Sequence, residues 1–442
     1  NVIAGFQWMA FMVAGSIVAP IAIAGLFGLN AEESAGFVQR TMFILGVSGF
    51  LQAVFGHRLP INEGPAGLWW GVFVLYGGLS TALFSSESET LMALQGAMIV
   101  SGLVFIILAL GNFVDKLANL FTPVVLGTYL LLLVFQLSGS FIGGMLGIGY
   151  RKEGIDIPVA VFSLGLVLLT FLLSHHKKRI ISQYSILLSL AIGWFFFYLL
   201  GLMEPAEQNA TGLITIPEVL VFGKPIFDLG MSITAVFVTL LLLTNMVASI
   251  QLVDKVRNVN TNERADKQSL YKRSGFVAGI NHILSGIFSA VGSVPISGAA
   301  GFIATIKNAR MIPFLIGSLL VIGASFSPHM MAFIASLPMP VGYSVMFVVF
   351  ANMIGMAFSE FDKEKDKVRI RLVIGLSLLG GVGIMFVPSE AYAGLPPALT
   401  SVISNGLIVG SLIAIVLDQW TKQGAKRRTE GKNKEKKKTS RK

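Results

Sequence analysis

Two apolar segments of the chain are interrupted by similar stretches, Leu59-Pro60-Ile61-Asn62-Glu63-Gly64-Pro65-Ala66-Gly67 and, 235 positions later, Val294-Pro295-Ile296-Ser297-Gly298-Ala299-Ala300-Gly301. Each stretch combines proline with small residues, which break helices. Lipid tolerates broken backbone only where protein or a polar cavity satisfies its hydrogen-bonding groups. Paired interruptions in the two halves of a hydrophobic chain therefore predict the substrate site of a secondary transporter.

The composition indicates an integral membrane protein. Of the 442 residues, 54% are hydrophobic and 13% are charged, and the mean hydropathy is +0.76. This excludes an ordinary soluble globular protein. A membrane-spanning helix takes about 20 apolar residues, so the chain has room for a dozen or more. Cysteine is absent, which excludes disulfides and thiolate metal ligands.

The apolar runs predict an all-α membrane protein with about fourteen spans, seven on either side of a polar seam at residues 203–228. The third and tenth spans contain the interruptions, and we expect short extended strands there. The predicted spans are centred near Ile17, Leu45, Val72, Val100, Leu130, Leu166, Leu190, Leu240, Ile283, Ile303, Leu319, Val348, Leu376 and Val409.

The distribution of basic residues predicts a multi-pass protein of the plasma membrane with both termini in the cytosol. That orientation places 29 of the 33 lysines and arginines inside, although 11 of the 29 belong to the tail. Because seven spans per half is an odd number, the second half enters from the opposite face, which predicts inverted repeats. The tail, residues 421–442, is expected to be disordered, solvated and near anionic lipid, with no nucleic-acid partner.

The small residues of the interruptions are predicted to bind substrate through the backbone. Half-helices that begin near the bilayer midplane present free N–H groups and positive dipole ends to a cavity. Small residues allow a ligand to approach the backbone closely, which suits Gly67, Ala300 and Gly301. Such a site favours a flat ligand with several carbonyl acceptors and N–H donors. The alternative is that these residues only permit tight helix packing.

Glu63 is the most informative charged residue, because a carboxylate within a span is costly and is a functional candidate by default. We expect it to contact a ligand N–H or to carry a coupling proton. The alternative is a solvated or paired carboxylate at the cytosolic mouth near Arg58. Asn62, its neighbour, is predicted to hydrogen-bond the ligand in the same way.

Three further polar residues lie in apolar helices: Gln7 in the first span, and Asn245 and Ser249 in the eighth. They are predicted to contact substrate, with hydrogen bonding between helices as the alternative, favoured for Ser249 alone. His282 is interpreted as a core histidine. No nucleophile–base pair, zinc-ligand spacing or phosphate loop is present, so neither an enzyme nor a cofactor is predicted.

The sequence resembles the nucleobase–cation symporters of the uracil and xanthine permease type, from Gln7 to Trp420. The resemblance implies inverted repeats of seven spans and a core domain (residues 1–111 and 229–337) that moves against a gate domain (112–228 and 338–420). It also implies a homodimer. The similar stretches are 59–64, 120–127, 274–288, 337–341 and 404–410.

The usual side chains of that family's site are largely replaced here. Trp8 follows Gln7 where the family has histidine, and Asn245 stands at the position of its substrate-binding acid. Ser249 replaces a histidine of uracil permeases. Gly301 and Phe302 stand where the tenth span carries an acid or amide and then asparagine. Gly67 matches a position whose backbone N–H contacts ligand.

The expected function is proton-coupled transport of a nucleobase, with a purine such as xanthine or urate favoured over uracil. Phe302, Trp69 and Trp70 would give a larger aromatic ligand an apolar face, although tryptophans also anchor spans at the lipid interface. Two alternatives stay open. The same scaffold would carry another small planar or anionic solute, or the protein would be a membrane sensor that binds without transporting.

Overall fold

The computed structural model describes residues 2–78, 80–111, 113, 122–178, 181–182, 184–203, 212–258, 267–306, 308–392, 395, 399 and 403–439. The chain is mostly helical, with two short strands, β1 (Glu63–Pro65) and β2 (Ser293–Pro295). The helices are α1 (Val2–Ser16), α2 (Val18–Leu26), α3 (Ala31–Val54), α4 (Gly67–Gly78), α5 (Ser80–Leu83), α6 (Glu87–Leu110), α7 (Pro123–Met145), α8 (Ile157–Ser174), α9 (Ser185–Leu199), α10 (Leu229–Asn258), α11 (Lys267–Ile287), α12 (Gly298–Ile306), α13 (Met311–Ser325), α14 (Pro328–Ala335), α15 (Met339–Asp362), α16 (Lys367–Met385) and α17 (Gly406–Thr439).

Each predicted span centre falls in a helix or, near Ile17, at the bend between α1 and α2. Among the described residues, eight helices are long and apolar enough to cross a membrane, or nine if α13 and α14, bent by 92°, form one span. The interrupted spans fall short of this length because α4 has 12 residues and α12 has 9. The helices support a multi-pass membrane protein. Fourteen spans, their inverted arrangement and the domain boundaries stay predictions.

Side chains before the first turn fix where several long helices begin. Asn30 accepts a hydrogen bond from the Glu33 backbone, while the Glu33 carboxylate accepts one from the Asn30 backbone, which forms a capping box for α3. Ser86 caps α6 in the same way through its hydroxyl. Thr122 caps α7, whose first residue is Pro123.

Helices α6 and α11 pack with their backbones in contact. A methyl group at Gly102 would lie 2.5 Å from the Gly279 carbonyl oxygen, and one at Gly279 would lie 2.6 Å from the Gly102 carbonyl oxygen. Glycine is therefore required at both positions for this approach. The main apolar core surrounds the two strands, and a second, smaller core joins α7, α15, α16 and α17.

The basic tail differs from its prediction. It was expected to be disordered, but α17 continues without a break from Gly406 to Thr439. The physical reason is its composition, since residues 421–439 contain no proline and many lysine, arginine and glutamate residues, which are strong helix formers.

Candidate functional site: the crossing of two broken spans

The two interruptions meet as an antiparallel pair of strands, which confirms the prediction that both spans are broken by extended backbone. Glu63 pairs with Pro295, Gly64 with Val294 and Pro65 with Ser293. Two backbone hydrogen bonds extend the pairing, from Ala66 N to the Gly292 carbonyl at 2.8 Å and from Ile296 N to the Asn62 carbonyl at 2.9 Å. The broken backbone thus satisfies its own hydrogen-bonding groups across the crossing.

The pairing corrects the alignment of the two interruptions. The sequences match when Pro60 is aligned with Pro295, an offset of 235. The strand register instead has a local two-fold centre at the Gly64–Val294 pair, so Pro65 is the counterpart of Pro295 and the offset is 230. The sequence match favours Pro60 because Ile61 follows it as Ile296 follows Pro295, whereas the long-range pairing favours Pro65.

Glu63 and Asn62 are each 2% exposed, so neither is solvated at a cytosolic mouth. Glu63 Oε1 and Asn62 Oδ1 have no hydrogen-bond partner among the described residues. The Ser293 hydroxyl lies beside the Glu63 carboxyl, but Ser293 Oγ also lacks a partner of its own by geometry. Buried polar atoms without partners are rare because burial alone is costly. Three of them at one crossing indicate a site that a ligand, water or proton completes.

Both half-helices begin with room around their first residue. A methyl group at Gly67, the first residue of α4, would contact only Leu133 of α7, at 3.6 Å. Gly298, the first residue of α12, is exposed, and a methyl group there would lie 3.5 Å from Ile296. At α12 the Ala299 and Ala300 N–H groups already donate to the Ile296 and Ser297 carbonyl oxygens, each at 3.1 Å. The start of α4 is therefore the better place for free N–H groups that a small solute could reach. Ala300 is buried one turn into α12 and Gly301 follows it.

The eighth-span residues reach the crossing from α10. Ser249 is buried and donates a hydrogen bond to the Pro295 carbonyl at 2.9 Å. Its hydroxyl also lies 3.5 Å from Asn245 Oδ1, one turn earlier, and Asn245 is half-buried. Ser249 therefore holds β2 against α10, while the described residues give the Asn245 amide nitrogen no hydrogen bond. Gln7 is exposed on α1, and the described residues give it no hydrogen bond.

Phe302 lies in an aromatic cluster rather than at an open face. Its ring stacks on Phe11 with centroids 4.4 Å apart and an interplanar angle of 18°. Trp8 packs edge-on against it at 4.5 Å and also contacts Phe314 at 5.0 Å. The tryptophan that replaces the family's histidine thus fills space next to Phe302. A ligand would stack on Phe302 only if Phe11 moved aside.

Trp69 and Trp70 are fully buried, so their interpretation as lipid-interface anchors is wrong. Both follow the start of α4 and point into the protein, where Trp70 packs edge-on against Phe141 at 5.5 Å. Trp69 lies against Gly292, where a methyl group would approach its Nε1 to 2.6 Å. These side chains support the crossing from behind.

The sequence did not predict a set of buried, unpartnered polar atoms on His282, Trp69 and Asn281 near the crossing. His282 is buried, as expected of a core histidine, and its Nδ1 hydrogen-bonds the Ala278 carbonyl at 2.9 Å. Its Nε2, the Trp69 Nε1 and both side-chain polar atoms of Asn281 have no partner among the described residues. Ser293 was also missed. Its position two residues before the helix-breaking Pro295 was the available signal.

Comparison with known proteins shows the family of this chain. The model of the xanthine/uracil permease family, described as "Permease family", matches residues 1–390. The chain is 47% identical over 422 residues to the "Putative purine permease YwdJ" of Bacillus subtilis (strain 168), covering 95% of both chains. It is 26% identical over 427 residues to the "Uric acid permease PucK" of the same organism, again covering 95% of each.

Among solved structures, the fold is similar to the transmembrane domain of the cyanobacterium bicarbonate transporter BicA. The TM-score is 0.59 at 16% identity, and the match covers 94% of this chain and 98% of that one. At this identity the likeness concerns the fold alone. The family match and the 47% identical relative extend over nearly the whole chain and name permeases, which are transporters and not enzymes. The chain belongs to the xanthine/uracil permease family.

Proposed function

We propose that this protein is a proton-coupled purine permease whose substrate binds at the crossing of β1 and β2. The observation that carries the proposal is Glu63, a buried carboxyl with an unpartnered oxygen between two helix starts. A carboxyl in this position would accept a hydrogen bond from a ligand N–H when ionised and would hold a proton otherwise. The same group would then link substrate binding to proton movement.

A nucleobase fits the hydrogen-bonding groups around Glu63. Its carbonyl oxygens would accept from the backbone N–H groups at the start of α4, near Gly67, and the ring would lie against the small residues Ala300 and Gly301 of α12. Its ring N–H groups would donate to the Glu63 carboxyl and to the side-chain Oδ1 of Asn62, which has no partner among the described residues. A purine is favoured because two relatives are named as purine and uric acid permeases.

The remaining predicted contacts take secondary positions in the proposal. Asn245 would contact the ligand through its amide, while Ser249 positions β2. Phe302 would stack on the purine after Phe11 moves, and Gln7 would join from α1 once the site closes. Transport would proceed by movement of the core domain against the gate domain, in a homodimer with cytosolic termini.

Uptake into proteoliposomes tests the proposal. We expect radiolabelled xanthine or urate to exchange against unlabelled solute and to accumulate faster when the outside is more acidic. Uracil should compete more weakly. Binding without exchange would indicate a sensor, and exchange of small anions without nucleobase competition would favour the alternative solute.

Glu63→Gln separates the role of the carboxyl from that of the scaffold. A hydrogen bond to a charged group contributes about 1.5–3 kcal/mol, so we expect uptake to fall by about tenfold or more and its pH dependence to disappear. The matched control is Glu153→Gln, which removes an exposed carboxylate outside the helices and should leave uptake unchanged. Wild-type uptake and pH dependence in Glu63→Gln would eliminate the proposed role of Glu63.

A further inference from the structure

A groove separate from the crossing opens where α3, α6 and α11 reach the same end of the protein. It encloses about 480 Å³, within the roughly 300–1,000 Å³ of small-molecule sites. Its wall is apolar, with exposed faces of Phe55, Leu110 and Phe276. Lys272 and Arg273 are the basic residues in its lining.

The groove has a fixed shape because the helices that form it are tightly joined nearby. Helices α6 and α11 touch through Gly102 and Gly279, and Ala109 and Lys272 lie two turns further along the same antiparallel contact. The Gln52 side chain on α3 donates a hydrogen bond to the Ser274 carbonyl of α11 at 3.1 Å. The third wall is thus held at the level of the two basic residues.

Among the described residues, no acidic group neutralises the charge of the groove. Lys272 and Arg273 are half-buried, and neither forms an ion pair among the described residues. The Nε atom of Arg273 is buried and has no hydrogen-bond partner in the described part of the chain. The part of the chain that the structure describes contributes no acidic residue to the lining of the groove. The Arg273 guanidinium and the neighbouring Lys272 ammonium supply N–H groups that would donate to phosphate oxygens. The N–H groups of the guanidinium form a planar fork that suits this acceptor.

We propose that this groove binds one anionic phospholipid of the surrounding bilayer. Its phosphate would lie against Lys272 and Arg273, and one acyl chain would lie along the apolar wall between α3 and α6. The predicted orientation supports this occupant, since it places this end of the helices at the cytosolic leaflet, where anionic lipids attract lysine and arginine. The proposal is independent of which solute the crossing carries.

The test is lipid titration of the purified full chain in detergent, followed by native mass spectrometry. Phosphatidylglycerol and phosphatidylcholine with identical acyl chains are compared, together with glycerol 3-phosphate, which has the anionic group without the chains. We expect phosphatidylglycerol to bind at lower concentration than phosphatidylcholine, and glycerol 3-phosphate to bind far more weakly than either. Equal binding of the two lipids to the wild-type protein would overturn the proposal without any variant.

Two variants locate the site. Each basic residue at a membrane surface contributes roughly fivefold in affinity, so Lys272→Gln with Arg273→Gln should weaken phosphatidylglycerol binding about 25-fold and leave phosphatidylcholine unchanged. Ile280→Trp should fill the groove and weaken both lipids. The matched control, Lys177→Gln with Lys178→Gln, removes two exposed basic residues outside the groove and should change neither. An equal loss in the control would show that only net charge matters and would contradict the assigned site.

Discussion

The two interruptions have the same backbone pairing and different side chains. Ala66 N bonds the Gly292 carbonyl, and Ile296 N bonds the Asn62 carbonyl, so each interruption repeats the hydrogen bond of the other. The Gly64–Val294 pair lies at the centre of this local two-fold arrangement. Both halves therefore contribute equally to the scaffold of the site.

The polar side chains that could bind a ligand or a proton are concentrated in the first interruption. The local two-fold centre at the Gly64–Val294 pair makes Ser293 the equivalent of Glu63 and Gly292 the equivalent of Asn62. An acid and an amide in the first interruption thus correspond to a hydroxyl and a hydrogen atom in the second. The difference teaches that a symmetric backbone can present an asymmetric site. It also explains why the carboxyl is not an accidental feature of strand pairing, since the second strand forms without one.

The largest expected effect on stability concerns Gly292, at the start of the second interruption. Gly292→Ala places a methyl group 2.6 Å from the buried Trp69 Nε1, and overpacking of this kind costs about 1–3 kcal/mol. Gly298→Ala meets nothing closer than 3.5 Å and is the matched control. We expect the midpoint of thermal unfolding in detergent to be lower for Gly292→Ala and unchanged for Gly298→Ala. Equal midpoints would contradict the close packing of Trp69 behind the crossing.

The broken spans could be predicted from the sequence because proline and small residues cannot continue a helix in lipid. The burial of Glu63 followed from the same reasoning. The register could not be predicted, since the local sequence match favours Pro60, which isoleucine follows as it follows Pro295, while pairing with β2 selects Pro65. Register is a long-range property, and a local pattern does not contain it.

The side chains that fill the site were less predictable than its backbone. Tryptophan suits both a lipid interface and a protein core, so the sequence did not decide that Trp69 and Trp70 are buried. Phe302 lies in α12 directly after the second interruption, but its stacking on Phe11 depends on α1 and α12 lying together. Pairwise packing between distant helices leaves no periodic signal in one sequence.

A smaller effect is expected where α10 holds the second strand. Ser249→Ala removes the hydrogen bond to the Pro295 carbonyl and should lower the free energy of unfolding by about 1 kcal/mol. Ser359→Ala, which removes an exposed hydroxyl bonded only within its own helix, is the control and should have almost no effect. If Ser249→Ala keeps wild-type stability but loses substrate affinity, the serine contacts substrate instead of positioning β2.

The smallest expected effect tests the asymmetry itself. Ser293→Ala removes the hydroxyl at the counterpart of Glu63 and leaves the backbone pairing intact. Because Ser293 Oγ has no partner in the described structure, little binding energy is lost, and we expect uptake to change by less than about threefold with an unaltered pH profile. Uptake at several pH values, measured beside Glu63→Gln, makes the comparison. A loss in Ser293→Ala as large as that in Glu63→Gln would contradict the asymmetry, because the Ser293 hydroxyl beside the Glu63 carboxyl would then matter as much as the carboxyl itself.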